Sequence, residues 1–241
     1  MLCALLGETF LVVAGKNTQE KYKPIVLYQN EDNSVDFERC EKGSYDQRRE
    51  AVGSFLNDRF VICGGGDKIH DCNIIDENGL KAFKMSSKNG RQYASSIKLN
   101  DTTMWITGGL DSNDNRLYST EFVTVNGSSI GPNIPFGVLK HCMVQFKPNA
   151  ILLIGGRQND DKYSARTWII DLGDNFSVIE GPTLKKGRES HSCGKIIDEN
   201  GHVHVVVAGG YKIDSVEFLD TSLMNNWTKG KNSLSENSLF G

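Results

Sequence analysis

The sequence predicts an all-β fold of about five four-stranded sheets, arranged as the blades of a β-propeller, and two observations carry this prediction. A short apolar run ending in glycines recurs at 60–65, 104–109, 152–156 and 205–210, with a degenerate copy at 10–16. The first glycines stand at 15, 64, 108, 155 and 209, a spacing of 44 to 54 residues. Strand-like runs also surround each copy. A period of this length indicates stacked repeats, and four short strands per repeat favour a propeller.

The glycine-ended run is the central strand of each repeat. Val205-Val206-Val207-Ala208-Gly209-Gly210 is its clearest copy, and it contains no charge. An uncharged run of four to six apolar residues is typical of a strand that is buried on both faces. The run is too short for an independent helix, and glycine lets the backbone turn sharply and lets another segment approach closely. We therefore expect a buried strand and a tight backbone contact in every repeat.

Three further strand-like runs complete each repeat. Those before the glycines are 1–6, 51–56, 93–99, 141–146 and 191–197, and those after them are 24–28, 72–76, 119–125, 167–172 and 215–220. A weaker fourth run contains one large apolar residue, respectively Phe37, Phe83, Ile130, Phe176 and Trp227. Clusters of Asn, Asp, Gly and Ser join the runs, as expected of turns. The pattern predicts one domain, residues 1–241, with blades of approximately 1–42, 43–89, 90–137, 138–186 and 187–241.

The last repeat carries a family resemblance. In order, it contains Gly181-Pro182-Thr183-Leu184, Arg188, His191-Ser192-Cys193, Gly209-Gly210, Val216-Glu217-Phe218 and Trp227. This segment resembles a complete kelch motif, and thinner copies of the motif extend over nearly the whole chain. The resemblance implies a kelch-type β-propeller. It does not imply one function, because kelch propellers serve many purposes.

The sequence leaves the number of blades open, because it contains five repeats whereas kelch propellers more often have six or seven blades. Residues 230–234 resemble the linker 181–184, and residues 235–241 resemble the start of another first strand. These residues either pair with the N-terminal blade and close a five-bladed ring, or open a sixth blade. We favour a closed or nearly closed ring of five.

Composition argues against two classes of partner. The chain of 241 residues has a formal net charge of −3, and it has no run rich in lysine and arginine. This balance argues against nucleic acid or an anionic membrane as the partner. No apolar stretch approaches the roughly 20 residues needed to span a bilayer, and Met1 is not followed by a signal-peptide pattern.

The six cysteines predict free thiols rather than a disulfide framework. Cys3, Cys142 and Cys193 occupy the same position in their repeats. We expect residues related by rotation in separate blades to lie well apart, whereas a disulfide needs Cα atoms within about 7 Å. Cys63 and Cys72 flank one strand connection, so their pairing stays open, but free thiols are favoured. Free thiols are typical of a reducing compartment, and we expect a cytoplasmic location.

The candidate ligand-binding residues are four cations. Arg49, Arg91 and Arg188 each precede a first strand by a similar offset, and Lys140 stands close to that place in the fourth repeat. In kelch modules that recognise peptides, basic residues at comparable places line one mouth of the channel. The resemblance therefore implies a cationic bowl for carboxylates or phosphates. The alternative is that each arginine forms a structural salt bridge with a nearby acid such as Glu50 or Glu189. Val138 stands where a full ring would need a cation.

The histidines predict no metal site. His141 and His191 occupy equivalent positions beside first strands, and both are interpreted as structural. His202 and His204 alternate along a strand and so share one face, which a metal could use. No cysteine or acidic partner stands at ligand spacing near them, so we also interpret this pair as structural. No cofactor is expected.

Four Asn-X-Ser/Thr sequons begin at Asn100, Asn126, Asn175 and Asn226. The composition of the chain gives roughly 2.6 such patterns by chance, so their number alone does not indicate glycosylation.

The sequence thus predicts a non-catalytic protein-binding module whose loop face takes a partner, with an acidic segment as the expected ligand. An enzyme is the first alternative, because kelch propellers include oxidases and sugar isomerases, although no acid, base or metal constellation stands out. An extracellular structural or adhesion module is the second, and glycans on the sequons would favour it.

Overall fold

The computed structural model of the chain describes the backbone of residues 2–6, 9–13, 25–29 and 35–39. It also describes residues 50–76, 79–86, 90–158, 163–231 and 233–234. Within these ranges no α-helix occurs, and one turn of 3-10 helix spans Gly66–Lys68. No helix in the described ranges is long and apolar enough to cross a membrane.

The described strands form five antiparallel sheets of four strands each. The first sheet contains β1 (Leu2–Leu6), β2 (Thr9–Val13), β3 (Ile25–Gln29) and β4 (Val35–Arg39). The second contains β5 (Val52–Leu56), β6 (Arg59–Cys63), β7 (Asp71–Asp76) and β8 (Gly79–Lys84). The third contains β9 (Ser95–Asn100), β10 (Thr103–Thr107), β11 (Thr120–Thr124) and β12 (Gly127–Ile130).

The last two sheets follow the same plan. The fourth contains β14 (Cys142–Lys147), β15 (Ala150–Ile154), β17 (Thr167–Asp171) and β18 (Ser177–Glu180). A short pair formed by β13 (Val138–Leu139) and β16 (Arg157–Gln158) accompanies it. The fifth contains β19 (Ser192–Ile197), β20 (Val203–Ala208), β21 (Val216–Asp220) and β22 (Trp227–Lys229). In every sheet the strands lie side by side in chain order, which confirms the prediction of five four-stranded units.

The glycine-ended run is the second strand of its sheet, as predicted. Phe60, Val61, Trp105 and Leu152 in β6, β10 and β15 have no exposed surface. β20 differs, because Val206 and the other residues on its face are half-buried while Val205 and Val207 are buried. The prediction that the second strand is buried on both faces is thus confirmed for β6, β10 and β15. It is wrong for β20.

The chain divides into two compact units, each with its own core. The first consists of Met1–Ile106, Leu110–Asn115 and Thr120–Gly131, and the second of Thr107–Gly109, Arg116–Ser119 and Pro132–Gly241. The core of the first unit includes Val61, Met104 and Ile106. The core of the second includes Leu152, Val205 and Trp227.

A repeated backbone contact, which we call the glycine joint, follows the second strand. The N–H group of the second glycine donates to the carbonyl of a residue just before the first strand of the next sheet. Within the described residues, this bond joins Gly65 to Arg91 at 2.9 Å, Gly109 to Val138 at 2.7 Å, and Gly156 to Arg188 at 2.8 Å. At Gly156, φ is +81° and a Cβ atom would lie 2.6 Å from the carbonyl oxygen of Leu139, so only glycine fits.

Four of the cysteines form disulfides, which corrects the expectation of free thiols. Cys63 on β6 is bonded to Cys72 on β7, its direct neighbour across the two strands, with a Cα separation of 4.0 Å. Cys142 on β14 is bonded to Cys193 on β19, with a Cα separation of 6.1 Å. The Cys142–Cys193 bond shows why it was wrong to expect that equivalent cysteines of separate sheets lie too far apart to pair. Since the first strands of these consecutive sheets are neighbours, equivalent positions on them come within bonding distance.

Candidate functional site: a cationic and aromatic surface of the second unit

Arg91 is buried beside an acid of its own sheet. Its side chain has no exposed surface, and its Nη2 lies 3.6 Å from Oε2 of Glu121 on β11, which is also fully buried. Burial lowers the pKa of Arg91, and the charge and hydrogen bond of Glu121 oppose this effect. A ligand outside the protein therefore has no access to this guanidinium group.

Arg188 has the same arrangement in the fifth sheet. Its Nη2 donates to Oε1 of Glu217 on β21 at 2.6 Å, and its Nη1 donates to the carbonyls of Gly209 and Ser215, each at 2.9 Å. Glu217 also accepts two backbone N–H bonds, from Lys185 and the residue after it. Both side chains of the pair are buried. The geometry is that of a structural ion pair, although its acid is not one that the sequence suggested.

Backbone conformation defines which positions are equivalent before each first strand. Four residues there take left-handed conformations, and these are Glu50, Tyr93, Lys140 and Ser190, with φ of 57°, 58°, 55° and 52°. Lys140 is therefore equivalent to Tyr93 and Ser190, while Val138 stands at the arginine position. Two residues before Glu50 lies Arg48, so the same register gives that residue, rather than Arg49, the arginine position. Arg48 and Arg49 both lie outside the described residues.

Lys140 belongs to a surface cluster around one buried carboxylate. Glu189 is 1% exposed, and its Oε1 lies 3.8 Å from Nζ of Lys140. The guanidinium group of Arg157, at the start of β16, makes a bidentate contact with Glu189, in which Nη2 donates to Oε1 at 2.8 Å and Nε donates to Oε2. The side chains of Lys140 and Arg157 are 24% and 37% exposed, so both reach solvent. Glu189 thus fixes two cations on the surface.

An aromatic pair adjoins this cluster. Tyr163 and Tyr211 are stacked with ring centroids 6.2 Å apart and planes 14° from parallel, and both are close to half exposed. The ammonium group of Lys212 lies 5.2 Å from the centroid of the Tyr211 ring. The N–H group of Tyr211 donates to the carbonyl of Glu189 at 2.9 Å, which connects the pair to the cations. We call Lys140, Arg157, Tyr163, Glu189, Tyr211 and Lys212 the cation–tyrosine surface.

The sequence missed most of this surface. Arg157 directly follows Gly155-Gly156, and Tyr211 directly follows Gly209-Gly210. The position directly after the glycine pair was therefore the one feature of the sequence that could have indicated these two surface residues. Each of these residues lies in the connection from the second to the third strand of a sheet. Because neighbouring strands run in opposite directions, this connection lies at the end of the sheet where the first strand begins.

The cation–tyrosine surface suits recognition of an acidic and partly apolar ligand. It offers three cations against one carboxylate, and that carboxylate is already held by two of them. Exposed tyrosines add contact area at a small cost in conformational entropy and can also form hydrogen bonds. The cations would attract a negatively charged segment and orient it on the rings.

The equivalent histidines are buried and neutral. Burial lowers the pKa of His141 to about 3, and the nearby His191 contributes to the shift. Burial also lowers the pKa of His191 to about 3, assisted by the charge of Arg188. His141 has a hydrogen bond of 2.7 Å between its Nε2 and the hydroxyl of Thr107. Both residues therefore act as neutral packing groups.

The other two histidines share an acidic neighbour, which corrects one expectation. Nε2 of His204 lies 3.2 Å from Oδ2 of Asp198, and Nδ1 of His202 lies 3.5 Å from the same oxygen. Asp198 precedes them in the connection from β19 to β20, a hairpin that brings it back beside β20. Among the described residues, no group of three or more histidine, cysteine or acidic side chains could hold a metal ion.

The comparisons with known proteins give the fold and nothing further. No protein-family model matches the chain, and no curated protein matches it. Solved structures do match, to a total of 208 chains. One of them is described as "Structure of YjhT". Its TM-score is 0.73 at 13% sequence identity, and the match covers 97% of this chain and 83% of the other. At this identity, the likeness concerns the fold alone.

Proposed function

We propose that the chain is a β-propeller of kelch type that acts as a non-catalytic binding module for an acidic segment of a protein partner. The five four-stranded sheets in chain order and the likeness to a solved structure over nearly the whole chain support the propeller. The observation that carries the binding role is the cation–tyrosine surface. Arg157 and Lys140 are held in place by a carboxylate that is itself 1% exposed.

Preorganisation is the main argument for binding at this place. A lysine or arginine on an open surface loses side-chain entropy when a ligand immobilises it. The bidentate contact with Glu189 has already fixed Arg157, and the stack has already fixed the tyrosine rings. Less entropy is therefore lost on binding. The proposal keeps Lys140 from the sequence prediction. It uses Arg157 and Lys212 in place of Arg91 and Arg188, whose side chains are buried.

The two disulfides change the expected compartment. The cytoplasmic expectation depended on free thiols, and Cys63, Cys72, Cys142 and Cys193 are bonded in pairs. Disulfides persist in oxidising compartments and are rare in the cytosol. We therefore propose that the module resides in the secretory pathway or outside the cell.

Binding of a fluorescent glutamate- and aspartate-rich peptide that contains one aromatic residue tests the function. Fluorescence anisotropy should show binding that weakens as salt rises, because ionic screening acts on exposed charges. Lys212→Glu should weaken binding about tenfold, since it reverses one exposed charge, and this corresponds to about 1.4 kcal/mol. Tyr211→Ala should weaken it by a similar factor while leaving the salt dependence unchanged.

Lys195→Glu is the matched control. Lys195 is exposed on β19 and lies outside the cation–tyrosine surface, and its reversal changes the net charge equally. Equal weakening by Lys195→Glu and Lys212→Glu would show that only net charge matters and would exclude a defined site. Failure of the unmodified chain to bind any acidic peptide would remove the proposed ligand class.

A further inference from the structure

The four sequons all lie in hairpins between neighbouring strands of one sheet. Asn126, Asn175 and Asn226 all lie between the third and fourth strands of their sheets, in the hairpins β11–β12, β17–β18 and β21–β22. Asn100 ends β9, at the hairpin between a first and a second strand. All four asparagines are exposed.

Strand direction puts these hairpins at one end of each sheet. In an antiparallel sheet whose strands follow in chain order, the first-to-second and third-to-fourth hairpins lie at the same end. The glycine joints and the connections from second to third strands lie at the opposite end. Within each sheet, a sugar on a sequon would therefore project away from the end that carries Arg157 and Tyr211. None of these four sequons stands at the joint end, where a glycan would obstruct binding.

The turn at Asn100 presents its side chain in a suitable way. Its Oδ1 accepts hydrogen bonds from the N–H group of Thr102 at 2.9 Å and from the hydroxyl of Thr102 at 2.8 Å. The amide oxygen thus faces the sequon threonine, and the amide nitrogen is the atom left to carry a substituent. A folded turn with an exposed asparagine accommodates a bulky, solvated glycan without loss of packing.

We propose that Asn100, Asn126, Asn175 and Asn226 carry N-linked glycans. This inference rests on the oxidising compartment proposed above and is independent of the ligand. The donor is an oligosaccharide linked to a polyprenyl diphosphate, used by the transferase of the secretory pathway. The asparagine Nδ2 bonds to the anomeric carbon of the first sugar and loses one proton. The bond from that carbon to the diphosphate oxygen breaks, and the polyprenyl diphosphate leaves with the electron pair.

Mass spectrometry of the protein purified from its own source tests the proposal. Treatment of its peptides with a glycan-releasing amidase in heavy-oxygen water converts each glycosylated asparagine into labelled aspartate. We expect label at the four sequons, together with the disulfide-linked peptides that contain Cys63–Cys72 and Cys142–Cys193. Unmodified asparagine at all four positions would overturn the proposal, and it would leave the peptide-binding assay unaffected.

Asn57 provides a matched internal control. It is exposed in the β5–β6 hairpin, at the end that corresponds to Asn100, but Arg59 stands where a hydroxyl residue is required. Asn57 should therefore be unlabelled. In cells that secrete the chain, Arg59→Thr should add one glycan, Thr102→Val should remove one, and Thr102→Ser should retain it. Unchanged glycan number in Arg59→Thr and Thr102→Val would contradict the assignment.

Discussion

The fourth and fifth sheets fill equivalent positions, before the first strand and on the third strand, with different side chains. In the fifth sheet, Arg188 before the first strand pairs with Glu217 on the third strand, and both are buried. In the fourth sheet, Val138 takes the arginine position, and Trp168 stands on the third strand where the fifth sheet has the glutamate. The indole N–H of Trp168 donates to Oε1 of Gln158, the direct strand neighbour of Val138, at 2.8 Å.

We infer from this difference that a sheet of this kind needs a well-packed space with its polar groups hydrogen-bonded at this position, and not the two charges. A buried ion pair gains attraction but loses the hydration of both charges, so it is often no more stable than an apolar group of similar volume. Trp168 fills its site by stacking on Phe136, with centroids 4.5 Å apart, and keeps one polar contact. The two sheets should consequently respond very differently to removal of a polar partner.

The largest effect is expected in the charged sheet. Glu217→Gln leaves Arg188 buried without a compensating charge, and loss of one partner of such a pair costs about 3–5 kcal/mol. Urea unfolding should report this decrease in the free energy of unfolding. The double variant Arg188→Met/Glu217→Leu should be more stable than Glu217→Gln. If the double variant is the less stable of the two, the charges themselves stabilise the sheet and the comparison fails.

Acid should destabilise both sheets through their histidines. The unfolded pKa is about 6.5, and the folded pKa of His141 and of His191 is lowered to about 3. Below pH 6.5 the two histidines bind protons in the unfolded chain but stay neutral in the folded chain. The contribution of the neutral histidines to the free energy of unfolding is therefore complete above pH 6.5. Between about pH 6 and 4.5, each histidine lowers the free energy of unfolding by about 1.4 kcal/mol for each unit by which the pH falls.

Single replacements separate the two histidines. His191→Leu and His141→Leu should each lower the pH dependence of the free energy of unfolding by about half in that window. Urea unfolding at a series of pH values provides the measurement. Identical slopes in the parent chain and in both variants would mean that these histidines are not neutral in the folded state.

The smallest effect is expected in the sheet without the ion pair. Trp168→Phe keeps an aromatic ring but removes the donor to Gln158, which is 2% exposed. An unsatisfied buried oxygen costs about 1–3 kcal/mol, measurable by the same urea unfolding. In a Gln158→Leu background the substitution should cost less, because no acceptor is then left unpaired. Equal costs in the two backgrounds would exclude this hydrogen bond as the stabilising contact.

The sequence allowed the sheets to be predicted because their causes are local. The apolar run ending at Gly209-Gly210 and its copies specify the second strands, and turn residues separate the remaining strands. The ion pairs were harder to predict because their members are 30 and 29 residues apart, at Arg91–Glu121 and Arg188–Glu217. The repeated patterns Ser119-Thr120-Glu121-Phe122 and Ser215-Val216-Glu217-Phe218 were the available indication.

The disulfide between sheets and the cation–tyrosine surface depend on contacts that no local pattern encodes. Cys142 and Cys193 are 51 residues apart, and only the adjacency of β14 and β19 brings them together. Arg157 and Tyr211 belong to different sheets, and each depends on Glu189 for its position. Equivalence in the repeat gave no information on which neighbouring residues complete a site.

The glycine joint has a consequence for sequence divergence. Its donor and acceptor are main-chain atoms, so the same contact forms whether arginine or valine supplies the carbonyl, as at Arg188 and Val138. This contact therefore restricts the two glycines sterically and places no demand on the acceptor side chain. Chains of this design can therefore differ in most side chains and still keep the fold, in keeping with a TM-score of 0.73 at 13% sequence identity.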